Sequence, residues 1–271
     1  MFGARSFLLF AIIAFFMEVR TVKAMRYVTP LREGGSLPAI VEGDDDGLYV
    51  LKFRGAGQGV KALIAELLGG EISRVLGLKV PEIVLIELDA VLARTEPDPE
   101  IQELIKASAG LNLALDYLPG SIMFDALIQQ PDAALASAIV WFDAFTANVD
   151  RTPRNANMLL WHKELWLIDH GAAFFYQHNW GAFLDNAKNP FRQVKDHILL
   201  PFAGEIEKAD RESSAQLTRE ILSEIVALVP DGWFDEAHEQ RKVYLEFLTN
   251  RLAGTREFVK EAIDARAALH V

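Results

Sequence analysis

The sequence of 271 residues contains no cysteine. This absence excludes a disulfide framework, a thiolate zinc site and a cysteine nucleophile, so the fold must be stabilised by packing. Positive charge is also scarce, because 27 Lys and Arg face 38 Asp and Glu, which gives a formal net charge of −11. Nonspecific nucleic-acid binding depends on clustered Lys and Arg, and we therefore expect no direct nucleic-acid partner.

The chain also lacks an apolar run that is long enough to cross a membrane. The run at the amino terminus, Phe7 to Met17, has 11 residues, whereas a membrane-spanning helix needs about 20. Arg5 before this run and Val22-Lys23-Ala24 after it give the segment the outline of a secretory signal. We exclude residues 1–24 from the fold and expect no membrane partner.

What the sequence does contain is typical of a globular protein, with 51% hydrophobic and 24% charged residues. The front of the chain alternates strand-like runs with turn signals, which predicts a small antiparallel sheet. One amphipathic helix is predicted from Val60 to Leu76, and Gly77 ends it. The strand-like segments are Tyr27-Val28, Leu37 to Val41, Leu48 to Phe53, Pro81 to Leu92 and Leu111 to Leu118, with a polar loop at Thr95 to Pro99.

The back of the chain is predicted to be mainly helical. Apolar periodicity indicates helices at Asp132 to Asn148, Ala215 to Leu228 and Glu239 to Leu269. Two short apolar runs, Met158 to Trp161 and Leu165 to Ile168, flank a polar turn and predict a hairpin. A sheet-rich front and a helical back indicate an α+β protein with two lobes.

The most informative stretch is Asn148 to Asn157 together with Asp169-His170-Gly171. Phosphoryl transfer requires one carboxylate that orients the attacking hydroxyl, and oxygen ligands for the metal that neutralises the phosphates. Asp150 and Asn155 can supply the carboxylate and one ligand from a single loop, and Asp169 can supply a second ligand. Magnesium prefers such oxygen ligands. The alternative is that these residues only form turns, and the order of the upstream elements favours the phosphotransferase.

The upstream half contains candidates for nucleotide binding. Lys52 ends a strand-like run, where it can pair with ATP phosphates and be held by a helix glutamate. Glu66 and Glu71 both lie on the predicted helix, and periodicity alone leaves open which of them faces Lys52. The turn Gly34-Gly35-Ser36 can bring backbone N–H groups close to phosphates.

The sequence resembles the HipA-like kinases, relatives of a bacterial toxin kinase that share the catalytic core of protein kinases. The similar segments are YVLKF at 49–53, AELLGGEISRVLGLKVPE at 65–82, NVDRTPRN at 148–155 and LIDHG at 167–171. The resemblance implies a two-lobed, protein-kinase-like fold and transfer of the γ-phosphoryl group of ATP to a protein Ser or Thr. It also implies that Glu66 is the partner of Lys52. Asp150 is then similar to the catalytic base, and Asn155 and Asp169 are similar to the metal ligands.

Three features depart from the family pattern. Thr152-Pro153 stands where many relatives have a histidine after Asp-Arg, so the catalytic loop can be shaped differently. His170 replaces the phenylalanine of Asp-Phe-Gly. Asn157 directly precedes the hairpin, as the metal-binding asparagine does in ordinary protein kinases, and either Asn155 or Asn157 can therefore be the metal ligand.

These observations predict a cytoplasmic kinase that uses ATP and Mg²⁺, with an N-lobe at residues 25–118 and a C-lobe at residues 119–271. We place the true start at Met25, because ATP chemistry needs cytosolic nucleotide and a secretory signal does not fit it. Arg151 is a further catalytic candidate, with a structural ion pair as the alternative. A small-molecule or lipid-head-group phosphotransferase and a nucleotide-binding pseudokinase are the two alternative functions.

Overall fold

A computed structural model describes residues 18–31 and 37–269 of the chain. The described residues form two compact units. The first comprises the chain up to Gly59 with Glu82–Tyr117 and Ala227–Pro230, and the second comprises Val60–Pro81, Leu118–Val226 and the residues from Asp231 onwards. The break after Tyr117 falls next to the predicted lobe boundary, whereas helix α1 (Val60–Val75), which we predicted for the N-lobe, belongs to the second unit.

The first unit is built on a closed β-barrel. Its strands are β1 (Thr21–Pro30), β2 (Ala39–Gly43), β3 (Leu48–Lys52), β4 (Ile83–Leu88) and β5 (Gly110–Asp116). They neighbour one another in the order β1-β2-β3-β5-β4. Four of the pairings are antiparallel, as the sequence predicts. The sheet closes into a barrel because β1 also pairs with β4 in parallel, with Thr21 opposite Leu85.

Strand β1 begins before Met25, in the segment that the sequence analysis excludes from the fold. Residues 21–23 pair with β4. The side chains of this strand alternate between core and solvent, so Val22 and Ala24 lie in the barrel core with 4% and 3% of their surface exposed. Residues 21–24 are therefore part of the barrel, and the structure corrects the expected boundary.

A chain that starts at Met25 should be less stable than one that starts at Glu18. The shorter chain lacks the buried Val22 and also Arg20, whose Nε donates to Glu82 Oε1 at 2.7 Å. Burial of a valine side chain alone contributes about 1.5–3 kcal/mol, so we expect the free energy of unfolding to fall by about 3 kcal/mol or more. Urea denaturation of the two chains measures this difference, and equal midpoints would contradict it.

Two segments of the first unit differ from the sequence prediction. The strand-rich stretch Pro81 to Leu92 is strand only over β4, because Asp89 then accepts a hydrogen bond from the N–H of Val91 at 2.8 Å and starts a 3₁₀ helix. The polar loop leads into helix α2 (Pro99–Ala107), which we did not predict. Its signal was present, since Asp98 is an N-cap and proline occupies the first turn.

The second unit contains a small three-stranded sheet and several helices. The sheet has the order β6 (Ile122–Met123), β7 (Met158–Trp161) and β8 (Glu164–Leu167). The predicted hairpin is confirmed, because β7 and β8 are antiparallel and are joined by His162-Lys163. The φ angles of these two residues, 50° and 67°, are those of a type I′ turn. Helix α3 (Ala133–Thr146) lies before the hairpin in the chain.

Between residues 206 and 269 the described chain forms four α-helices. They are α4 (Ile206–Gln216), α5 (Arg219–Ala227), α6 (Ala237–Leu252) and α7 (Glu257–Ala268). The sequence predicts one helix from Glu239 to Leu269, but the chain breaks at Gly254 and Arg256, whose φ angles of 71° and 45° cannot continue a right-handed helix. In residues 18–31 and 37–269, no helix is both long enough and apolar enough to cross a membrane.

Candidate active site

The loop between α3 and β7 carries the predicted catalytic residues. Helix α3 ends at Thr146, and Ala147 turns the chain with a left-handed backbone, φ 52°. Asp150 is half-buried. Its Oδ2 accepts hydrogen bonds from both predicted asparagines, at 2.8 Å from Nδ2 of Asn155 and at 3.3 Å from Nδ2 of Asn157. The three side chains form one cluster.

Asp169 lies beside this cluster. The N–H of Ile168 donates to the carbonyl of Asn157 at 3.0 Å, which joins the end of β8 to the loop between α3 and β7. Asp169 has a left-handed backbone, φ 56° and ψ 63°, a conformation that is uncommon outside glycine and occurs often at functional sites. Burial raises the pKa of Asp150, a hydrogen bond from Asn157 opposes this, and the negative charge of Asp169 raises the pKa further. Four predicted site residues therefore lie together.

Arg151 is directed into the protein interior. Its side chain is fully buried, and its Nε lies 2.5 Å from Oδ2 of Asp143 on α3. Its Nη1 donates to the carbonyl of Asn157. Burial alone would raise the pKa of Asp143, but the charge of Arg151 and the hydrogen bond from His197 outweigh it and lower this pKa to about 2. Arg151 thus forms the ion pair that the sequence analysis gave as the alternative.

His197 is a third member of this buried group and contacts the carboxylate of Asp143. Its Nε2 lies 2.8 Å from Oδ2 of Asp143, and its Nδ1 accepts a hydrogen bond from the N–H of Leu199 at 3.0 Å. Because Nδ1 is an acceptor, the proton of the neutral ring is on Nε2, which donates to the carboxylate. Asn148 Nδ2 donates to the second oxygen of Asp143 at 2.8 Å. Both oxygens of Asp143 are therefore bonded, and through Asn148 and Arg151 they anchor the loop between α3 and β7.

Sequence reasoning missed both Asp143 and His197. The signal for Asp143 was present, since it is a single charged residue within the apolar pattern of α3, where an unpaired carboxylate would be costly to bury. His197 carried no comparable signal, because it is separated from Asp143 by 54 residues.

The departure from the family pattern at Thr152-Pro153 forms a tight turn. The N–H of Thr152 donates to the carbonyl of Asn155 at 2.9 Å, and the N–H of Asn155 donates back to the carbonyl of Thr152 at 3.0 Å. Pro153 and Arg154 lie exposed at the tip of the turn. The turn fixes the backbone of Asn155, and its side chain then reaches Asp150.

Glu66 and His170 meet where α1 packs against the segment that follows β8. Both side chains are buried, and Glu66 Oε1 lies 3.4 Å from His170 Nδ1. Gly69 permits this approach, since a Cβ on that residue would lie 2.8 Å from the Cβ of His170. Glu71, the competing candidate, pairs with Arg74 of the same helix at 3.2 Å. Burial raises the pKa of Glu71, and the charge of Arg74 lowers it in part.

Lys52, another predicted nucleotide contact, belongs to the first unit. Lys52 is the last residue of β3, which lies between β2 and β5 in the barrel, and its side chain is half-buried. Glu66 belongs to the second unit, and the pairing of the two residues stays a prediction. The turn Gly34-Gly35-Ser36 lies outside the described residues, so its contact with phosphates also stays a prediction.

The donor set at Asp150 and Asp169 fits magnesium. In the part of the chain that the structure describes, no three His, Asp or Glu side chains are placed to hold a metal ion. Magnesium rarely requires such a cage, because one or two carboxylates usually bind it while waters and substrate phosphates complete its octahedral shell. Two neighbouring carboxylates and the amide oxygen of an asparagine match this pattern.

Comparison with known proteins addresses the family and the fold. The model of a family described as HipA-like kinase matches residues 25–260. A search of curated proteins finds no significant match. Among solved structures, the Helicobacter pylori proinflammatory kinase CtkA is similar with a TM-score of 0.55 and 13% sequence identity, over 94% of this chain and 99% of that chain.

The Golgi casein kinase is similar as well. It has a TM-score of 0.53 and 10% identity over 96% of this chain and 78% of that chain. Its structure with Mn and ADP bound has a TM-score of 0.52 and 9% identity over 94% and 76% of the two chains. At these identities the similarity concerns the fold alone. It confirms the predicted kinase-like α+β fold, with strands in the first part of the chain and helices in the second.

Proposed function

Because this chain belongs to the HipA-like kinase family, we propose that it transfers the γ-phosphoryl group of ATP to the hydroxyl of a protein Ser or Thr. The observation that carries this proposal is the cluster of Asp150 with two asparagines, close enough to Asp169 for their charges to interact. Phosphoryl transfer needs little covalent help from the protein, so placed carboxylates and metal ligands can supply most of the catalysis.

Asp150 is the proposed catalytic base. The two amide N–H groups that bond its Oδ2 hold the carboxylate in one orientation. In that orientation the other oxygen, Oδ1, can accept the proton of an acceptor hydroxyl that lies within about 2.6–3.2 Å. Burial raises the pKa of Asp150 above that of an exposed aspartate, and a raised pKa makes the carboxylate a better proton acceptor.

Asp169 and one asparagine are the proposed ligands of magnesium, which when bound would neutralise charge on the ATP phosphates. Lys52 is the proposed side-chain contact to those phosphates. The backbone of the glycine-rich turn Gly34-Gly35-Ser36 is the proposed main-chain contact to them. The fold is shared with a kinase whose structure contains Mn and ADP, which supports a nucleotide and a divalent cation as the cofactors here.

We assign the ligand role to Asn155 rather than to Asn157. Asn157 is 3% exposed, and its amide N–H groups bond both the carboxylate and the main-chain carbonyl of Asp150, at 3.3 and 3.0 Å. Its own carbonyl accepts from Arg151 and Ile168, so this residue is built into the loop. Asn155 is half-buried at the surface of the cluster, and its amide oxygen can turn towards a cation.

Replacing Asn155 with alanine should raise the Mg²⁺ concentration for half-maximal activity by about 10-fold or more. Replacing Asn157 with alanine should instead lower stability by about 1–3 kcal/mol, because it removes buried hydrogen bonds. Magnesium titration of the initial rate, together with thermal melting, measures both effects. The reverse pattern, with a larger metal requirement in the Asn157 variant, would exchange the two roles.

Arg151 is proposed to position the loop rather than to contact substrate. Its guanidinium forms an ion pair with the carboxylate of Asp143, and its Nη1 donates to the carbonyl of Asn157. A guanidinium that is buried in this way cannot reach a phosphate without breaking the pair, which would leave Asp143 as an uncompensated buried charge.

The function is tested by incubation with γ-labelled ATP, Mg²⁺ and a peptide library that contains Ser, Thr or Tyr acceptors. The proposal predicts label on Ser or Thr peptides or on the protein itself, and an initial rate that is lower by about 1,000-fold or more with an Asp150→Asn variant. Label that appears only on added small alcohols or lipid head groups would identify the alternative phosphotransferase. ATP binding by calorimetry without any turnover would identify a pseudokinase.

A further inference from the structure

The carboxyl-terminal end of α3 directly precedes the catalytic loop and requires hydrogen-bond donors. The last four carbonyls of a helix have no partner within the helix. Two of them, at Ala144 and Phe145, accept hydrogen bonds from Arg251, a residue of α6 that is distant in the sequence. The distance is 2.6 Å from Arg251 Nε to the carbonyl of Phe145 and 2.6 Å from Nη2 to the carbonyl of Ala144.

The next two carbonyls are occupied by the segment that follows Asp169. The N–H of Phe174 donates to the carbonyl of Thr146 at 2.6 Å, and the N–H of Phe175 donates to the carbonyl of Ala147 at 3.3 Å. The end of α3 is therefore held from two sides, by α6 and by the chain that continues from the second carboxylate.

Arg251 also bonds the segment that follows Asp169, which comprises residues 170–202. Its Nη1 lies 3.2 Å from the carbonyl of Ala187 and 3.3 Å from that of Asn189, and its guanidinium lies 4.6 Å from the centre of the Phe258 ring. Within the described chain, its hydrogen-bond acceptors are all main-chain carbonyls. Burial lowers the pKa of Arg251 to about 10, and Tyr176 raises it in part. The cation is balanced by the negative end of the α3 dipole.

The sequence of this segment excludes one common way of ordering it. Residues 170–202 contain no Ser or Thr and a single tyrosine, Tyr176. In many protein kinases the corresponding segment becomes ordered when a phosphorylated side chain pairs with arginine. Here Ser or Thr phosphorylation cannot supply that charge, and an arginine from α6 already bonds the backbone of the segment.

We propose that Arg251 is a positioning residue for phosphoryl transfer. By capping α3 and bonding the carbonyls of Ala187 and Asn189, it holds the loop of Asp150 and the segment after Asp169 in one geometry. This inference rests on the proposed function, and it gives the carboxyl-terminal helices a role that their sequence pattern does not indicate.

The test compares Arg251→Met and Arg251→Lys with the wild type at a temperature where all are folded. Methionine removes every donor, and we expect kcat to fall about 100-fold, because small displacements of a catalytic group have effects of this size. The KM for ATP should change only about twofold. Lysine keeps the charge but cannot reach all four carbonyls, so kcat should recover by about 10-fold relative to methionine.

Arg256→Met is the matched control. Arg256 also comes from the carboxyl-terminal region and bonds a buried aspartate, Asp210, at 2.7 Å. Its partner belongs to α4, and the other oxygen of Asp210, Oδ1, accepts a hydrogen bond from Nε1 of Trp141 on α3 at 2.9 Å. The Arg256→Met variant leaves that bond and the donors to the last carbonyls of α3 in place, so it should lower stability without releasing the end of α3. Hydrogen–deuterium exchange of the amides in residues 147–157 and 170–176 should accelerate in Arg251→Met and remain at the wild-type rate in Arg256→Met.

Several results would overturn the inference. One is a kcat of Arg251→Met within about threefold of the wild-type value. Another is an equal rate of amide exchange in Arg251→Met and Arg256→Met. A third is an equal kcat in Arg251→Lys and Arg251→Met. If Arg251→Met does not fold, the same measurements on Arg251→Lys test the inference. We then expect a kcat below the wild-type value and faster amide exchange in residues 147–157 than in the wild type. A wild type without phosphoryl transfer would refute the proposed function, and the exchange comparison would still decide whether Arg251 orders the loop.

Discussion

Replacing Asp150 with asparagine should reduce phosphoryl transfer by about 1,000-fold or more, because a positioned general base contributes about 10²–10⁴. The amide has nearly the same shape as the carboxylate, so contacts with Asn155 and Asn157 can persist. We expect ATP affinity by calorimetry to change little. Thermal stability should be equal or higher, since burial and the charge of Asp169 disfavour the ionised Asp150 in the folded chain.

Asp185→Asn is the matched control for this experiment, because Asp185 is exposed and the substitution is the same. It should retain wild-type rates. If Asp150→Asn also retained turnover, Asp150 would have no role as the base. A loss of turnover together with a large loss of thermal stability would indicate that unfolding, and not the missing base, explains the result.

Replacing Asp143 with asparagine should lower the free energy of unfolding by about 3–5 kcal/mol at pH 7, since it leaves Arg151 as a buried charge without its partner. The effect depends on pH with a defined sign. The pKa of Asp143 is lowered from 3.8 to about 2 in the folded chain, so its charge stabilises the fold above the ordinary pKa and this contribution is lost as the pH falls. About 2 kcal/mol of the difference should disappear between about pH 4 and pH 2.

Urea denaturation of the wild type and of Asp143→Asn at several pH values measures this difference. A double-mutant cycle with Arg151→Met isolates the pair. The double variant should be more stable than the sum of the two single losses predicts, because replacing both partners leaves no uncompensated charge. Additive losses, or a difference that does not change with pH, would contradict the interpretation of Asp143 and Arg151 as a coupled pair.

The structure supports some sequence predictions because they rest on local patterns. Apolar periodicity predicts the helix from Val60, and two apolar runs around a polar turn predict the hairpin at His162-Lys163. Both patterns lie within about 20 consecutive residues. The contact of Asp150 with Asn155 is likewise local, since the two residues are five positions apart in one loop. Asp98 and Pro99 show that a local signal can also be overlooked, because they mark the start of α2.

Other features could not be obtained in this way. The barrel closes through a parallel pair between Thr21 and Leu85, and a parallel pairing leaves no turn signal in the sequence. Residues 21–24 were excluded from the fold because the segment has the outline of a secretory signal, and no turn signal indicated their pairing with β4. The break of the last predicted helix at Gly254 depends on backbone angles that the apolar pattern does not report.

The sequence by itself determined the family and predicted which residues form the candidate site, because carboxylates, amides and glycines at short spacings carry that information directly. Only the tertiary structure decided what holds these parts in place. His197 is 54 residues from Asp143, and Arg251 is 106 residues from Phe145. Such contacts depend on how several helices pack in one core. The identity of a charged residue does not indicate whether its partner is close to it or distant from it in the sequence.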